Sequence, residues 1–384
     1  MSTSKAERDR LRLQRREELV ARRVELKAAK RQADDERAAR KQEERARLES
    51  ERLALDAIAE KAYEDYLVVR EGVRRMRECE DRNGVAYTDH ERRAIEGLAP
   101  LWTANAEMIA QLRRWCEPLS GVRAADYASE SSELATRLKR ELSMLRRQGA
   151  HDLFVQESRA LGGFGFEKHG ELYNEDTLLF CKTLVALHDG ALVQPYRASD
   201  ERRLVWEIGG GWGGFACQFK TLFPNVTYLI TGLPDAFLVS AVYVQALFPD
   251  ARCRLFTDMP PADLFQQWEE IDFIFVPESA ATTMQPPRVD LALDLSTLCQ
   301  MSVDRMRAHV RRAFDLRCRY WYSLFRPDAS AAEPAVCDVV NECYWPHPIP
   351  ARRERWAPAV MGVEPEPRPD TEEAHLVGWR RVCA

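Results

Sequence analysis

The sequence predicts an α/β chain in three parts: a long charged helix over 1–78, a helical cap over 79–198, and a mostly parallel sheet over 199–384. Three observations carry that prediction. Residues 1–60 contain neither Gly nor Pro and mix Lys and Arg densely with Asp and Glu, which favours one long helix laced by i,i+4 ion pairs. From residue 203 onward, short apolar runs alternate with helical stretches, the rhythm of a parallel sheet covered on both faces. The first of those runs breaks into five glycines within six positions, Gly209 to Gly214.

In the helical part, Leu55, Ala59, Ala62, Tyr66, Val69, Val73 and Met76 follow a 4-3-4-3 spacing, with Leu48 one heptad earlier. Such a stripe either docks the helix on its own domain or forms a dimerising coiled coil. Asn83-Gly84 ends the helix, and Thr88-Asp89-His90-Glu91 has the form of a capping box opening the next. That helix reaches about Cys116 with a break at Pro100, and further helices are expected at 125–148 and 176–189. The glycines of Leu161–Phe166 suit a loop.

Strands are expected at 204–208, 226–231, 253–257, 271–276, 289–295 and 319–325, and helices at 215–223, 234–248 and from Ser302. The segment 326–370, rich in Pro and charge, reads as loop, and His375–Val382 as a final antiparallel strand at the sheet edge.

Composition narrows the function. Of 384 residues 45% are apolar, enough for a sizeable core, and the net charge of -5 disfavours a general nucleic-acid binder. No apolar run approaches the roughly 20 residues of a membrane span, and the N-terminal segment lacks the apolar stretch of a signal peptide. Ten scattered cysteines without a C-x-x-C pair read as reduced thiols of a cytoplasmic protein.

A strand that ends in glycines and runs into a helix aims its carboxyl end at a ligand. Gly209-x-Gly211-x-x-Gly214 fits the dinucleotide fingerprint, a weak signal alone. Glu207-x-Gly209-x-Gly211-x-Gly213 fits the form that wraps the amino-acid end of S-adenosylmethionine, with the acid ordering the loop or meeting the ammonium group. An acid inside the strand end and the mid-chain position of the motif favour the second.

Val205–Gly214, Leu222–Ile230, Leu233-Pro234-Asp235 and Leu247–Asp250 together resemble the sugar O-methyltransferases of bacterial glycan biosynthesis. Leu172–Thr177 upstream, and Val289–Ser296 with Met301 downstream, extend the similarity over about 160–325. The resemblance implies a Rossmann-like class I methyltransferase fold, with S-adenosyl-L-methionine at the strand ends and a sugar or glycan acceptor. It implies cofactor contacts at Glu207, Gly209, Gly210, Gly211 and Gly213, and at Asp258 near the adenine. Either 271–276 or 289–295 could serve as the fourth strand of that fold.

Two departures stand out. The family ends its second strand in an acid that grips the ribose hydroxyls, whereas this chain has Gly232, with Asp235 as the nearest substitute. Asp294 and Gln300 stand where Asn and Glu are expected. Methyl transfer to a hydroxyl needs a proton acceptor, and the candidates are Asp294 and His347, followed by His169 and His188. No metal-ligand spacing is evident, and Asp272, Asp290 and Asp294 are the oxygen ligands that remain open. The rival to an enzyme is a catalytically silent fold that assembles through its N-terminal helix.

Overall fold

The computed structural model describes residues 5–147, 151–197, 199–257, 261–326, 332–348 and 374–380. The chain divides into two compact units, Met1–Ala57 and Ile58–Ala384. Helix α1 (Lys5–Asn83) supplies the whole described part of the first unit, where Leu48 and Leu53 are more than half exposed. Within the second unit the stripe resolves. Ala62, Tyr66, Val69, Val73 and Met76 are buried there, and the Tyr66 hydroxyl donates to Leu101 O at 2.5 Å. The other face of this stretch carries exposed pairs such as Lys61–Asp65 and Arg74–Glu71.

The cap follows as short helical pieces. Helix α2 (Asp89–Leu98) opens with the expected capping box: Glu91 N–H donates to Thr88 Oγ1 at 3.3 Å, and Thr88 N–H to a Glu91 oxygen at 2.7 Å. It ends at Leu98, and Pro100 lies in the 3-10 turn Ala99–Thr103 that follows, so the break expected at Pro100 is present and the stretch to Cys116 continues as short pieces. Helices α3 (Glu133–Arg147) and α4 (Glu175–Asp189) flank a small hairpin, Phe166–Lys168 against Glu171–Tyr173, which follows the glycines of 161–165.

Among the described residues, eight strands form one sheet. They are β1 (Arg203–Ile208), β2 (Val226–Gly232), β3 (Cys253–Leu255), β4 (Phe273–Pro277), β5 (Leu291–Leu295), β6 (Tyr320–Phe325), β7 (Tyr344–Pro348) and β8 (Ala374–Arg380). Their order is β3-β4-β2-β1-β5-β6-β8-β7, parallel from β3 through β6. Strands β1 and β2 are almost wholly buried, as continuous apolar runs between two helical layers must be. Helices α5 (Gly214–Leu222), α6 (Pro234–Leu247) and α7 (Val303–Asp315) provide the crossovers, and α6 is buried on nearly every side.

Two expectations for the tail change. Helix α8 (Glu333–Asn341) forms inside the segment read as loop, because Val336, Val339 and Val340 find a buried face and Pro334 suits a first turn. β8 is antiparallel as expected, but β7 pairs outside it and takes the edge. Pro346 and Pro348 masked β7 in the sequence; an edge strand tolerates them because one side needs no ladder.

From β1 the chain moves out to β2, crosses to β3 at the edge, fills the gap with β4, and then returns to lay β5 on the other side of β1. That reversal opens a crevice at the carboxyl ends of β1 and β5, where open α/β sheets bind ligands. It also places Leu291–Leu295 beside β1 and Phe273–Pro277 beyond β2.

Candidate functional site

A cavity of about 470 Å³ lies at this crevice, within the size range of small-molecule sites. Its floor is the turn after β1. Gly209 N–H donates to Thr231 O at 2.7 Å, and Gly213 N–H closes the turn on Gly210 O at 2.9 Å. Gly209, Gly211 and Gly213 have φ of 71°, 50° and 82°, a region that side chains disfavour. A Cβ at Gly209 would strike the Thr297 side chain, while one at Gly211 would meet only open space. The backbone is thus pressed against a neighbour on one side and bare on the other.

Beneath the turn sits Glu207, 2% exposed yet part of the cavity lining. Tyr228 Oη–H donates to its Oε2 at 3.0 Å. Burial pushes the Glu207 carboxyl up to about 7, against the pull of that hydrogen bond and with help from the charge of Asp294. A group that ionises near neutrality beside bare backbone is suited to a ligand cation.

Asp294 is fully buried and absent from the lining. Its Oδ1 accepts from the backbone N–H groups of Thr297 and Leu298 at 2.8 and 3.0 Å, capping the loop after β5. Burial pushes this carboxyl up to about 6, against those two bonds. The loop it holds puts Thr297 against the glycine turn, with Thr297 Oγ1–H donating to Gly209 O at 3.2 Å.

The cap supplies another wall. Arg113, fully buried, spans Glu157 at 2.9 Å and Asp176 at 2.8 Å. Its guanidinium lies 3.8 Å from the ring centre of Trp212, the one non-glycine residue in the turn. Asp176 and Trp212 both line the cavity, so a single ionic cluster joins the cap to the glycine turn. His90 and Glu117 reach the same cavity from the cap, and Arg326 from the end of β6.

The far wall begins at Gly232, which ends β2 and lines the cavity. A Cβ there would have only Gly209 Cα near it, at 3.7 Å. Asp235 lies outside the lining: its Oδ1 accepts from Trp102 Nε1–H at 2.8 Å and faces Arg77 at 3.4 Å. Glu278, just past β4, does line the cavity and is held by His309 and Arg305.

The structure therefore gathers Glu207, Gly209, Gly210 and Gly211 at one cavity, with Gly213 supporting the turn as N-cap of α5. Asp258 lies outside the described residues. His347 sits on edge strand β7, opposite Val377 and four strand spacings, roughly 19 Å, from β1. His169 is an exposed hairpin residue, and His188 lies in the last turn of α4. Asp272 is bound by Lys220 and Arg202, and Asp290 by Arg203 and Arg288, both at the amino ends of strands and away from Asp294. Among the described residues no three His, Cys, Asp or Glu side chains cluster to hold a metal ion.

Sequence reasoning missed Trp212, Glu278, His90 and Glu117. Glu278 had a signal: it is an acid directly after an apolar strand, as Glu207 is an acid at the end of one. The cap residues had none, because tertiary packing alone carries them to the cavity.

No protein-family model matches the chain, and no curated protein matches it. Solved structures do. The N-methyltransferase NodS from Bradyrhizobium japonicum, in complex with S-adenosyl-L-homocysteine, aligns with a TM-score of 0.31 at 11% identity, over 54% of this chain and 92% of that one. Magnesium protoporphyrin IX methyltransferase (ChlM) from Synechocystis, with bound S-adenosyl-L-homocysteine, gives 0.35 at 9%, over 56% and 90%. A protein from Thermoplasma acidophilum gives 0.32 at 13%, over 53% and 89%. With TM-scores this low, the functional reading rests on the chain's own residues.

Proposed function

We propose that this chain is an S-adenosyl-L-methionine-dependent O-methyltransferase that acts on a hydroxyl of a sugar or glycan precursor. One observation carries the cofactor reading: a positive-φ glycine turn over a buried, cavity-lining Glu207, at the point where the strand order reverses. The sugar acceptor rests on the sequence resemblance.

The residues fit the cofactor. Gly211 offers backbone that no side chain covers, and Glu207 offers a carboxylate to the ligand's ammonium group. When bound, the cofactor supplies an electrophilic methyl group on a sulfonium centre. The chain's part is to hold the reactants in line and take up the hydroxyl proton. Asp294 shapes the loop through its backbone bonds, while His90 and Glu117 stand in the cavity wall where a hydroxyl proton can be received.

Gly232 favours a second reading, a silent fold that assembles through α1. Calorimetry with S-adenosylhomocysteine separates the two. Saturable binding is expected; none at millimolar ligand overturns the enzyme reading, and NADH binding in its place would assign the site to a dinucleotide. Transfer of labelled methyl from S-adenosylmethionine to a panel of sugars then tests the acceptor.

A further inference from the structure

The acid missing from β2 has a neighbour placed to replace it. β2 and β4 run parallel with Gly232 opposite Pro277, so Glu278 is the first residue beyond β4 at the same carboxyl edge. About 4.8 Å separates adjacent strands, a gap that a glutamate side chain can span. No side chain intervenes from the Gly232 side, and both residues line the cavity.

Glu278 is also prepared as an acceptor. His309 Nε2 lies 2.6 Å, and Arg305 Nη2 3.1 Å, from the same oxygen, Oε1. Neither bond uses Oε2. Burial works against ionisation here, yet the His309 and Arg305 partners outweigh it and hold the carboxyl down at about 2. A purely structural role as the partner of Arg305 leaves something unexplained. Arg305 already has a two-pronged partner in Glu91, at 3.0 and 2.8 Å.

We infer that Glu278 accepts the hydrogen bonds of the ligand's ribose diol, supplying from β4 the carboxylate that Gly232 cannot. This rests on the cofactor reading above. The test is calorimetry on the full chain with S-adenosylhomocysteine and its 2′-deoxy counterpart. The wild-type protein should prefer the ribose form by roughly 10- to 100-fold, the usual worth of a charge-assisted hydrogen bond. Glu278→Gln should lose that preference while still binding the deoxy form. Adding Gly232→Asp to Glu278→Gln should restore it, a gain that misfolding cannot produce. A preference that survives in Glu278→Gln, or is absent from the wild type, overturns the inference alone. A wild-type protein that binds neither ligand overturns the cofactor reading and this inference with it.

Discussion

On the proposed reading, the charge of Glu207 decides binding. Its carboxyl, raised from 4.5 to about 7, stays largely protonated below neutrality. A ligand ammonium pairs with the ionised form only, so affinity should rise as pH climbs through about 7 and level off above it. Below that point binding should release a proton, which calorimetry detects as a dependence of the heat on buffer ionisation enthalpy. Glu207→Gln should flatten the profile. A wild-type affinity independent of pH between 5 and 8 would place the ligand's cation elsewhere.

At the level of elements, the loop after β5 is a designed contact, and Asp294 is its fastener. Losing the two backbone bonds to Thr297 and Leu298 should cost Asp294→Ala about 1–2 kcal/mol in urea unfolding. S-Adenosylhomocysteine affinity should fall too, since Thr297 would no longer brace Gly209. Asp294→Asn keeps an acceptor oxygen and should retain stability and binding. If that variant binds normally but loses methyl transfer, Asp294 is the proton acceptor rather than a positioning residue. Arg113 plays a similar part across the cap: it neutralises Glu157 and Asp176 while packing on Trp212, so cap and glycine turn hold their places together.

For the whole molecule, the boundary at residue 57 matters more than the end of α1 at Asn83. A variant starting at Ile58 should keep the unfolding midpoint of the sheet-bearing unit. One starting near residue 80 should fail to fold. It loses buried Tyr66, Val69, Val73 and Met76, each worth about 1.5–3 kcal/mol, a sum comparable to the whole stability of a domain. Light scattering on the Ile58 variant also tests assembly. Fewer subunits per particle than the full chain would assign a coiled coil to 1–57, and an unchanged number would exclude it.

Much of this was legible in the sequence because it is written in local signals. Apolar runs, proline breaks and Thr88–Glu91 capping specify strands and helices over a few residues, and the Glu207–Gly214 run specifies a positive-φ turn at a strand end. What the stripe on α1 packs against was not local: the same heptad spacing serves a coiled coil or a docked helix, and only the second unit's core decided for residues 62–76. Tertiary structure likewise turned Asp235 toward Trp102 and set Glu278 one residue past the pairing of Gly232 with Pro277. Side-chain direction depends on what stands opposite, across tens or hundreds of residues of chain, and no spacing along a sequence encodes that.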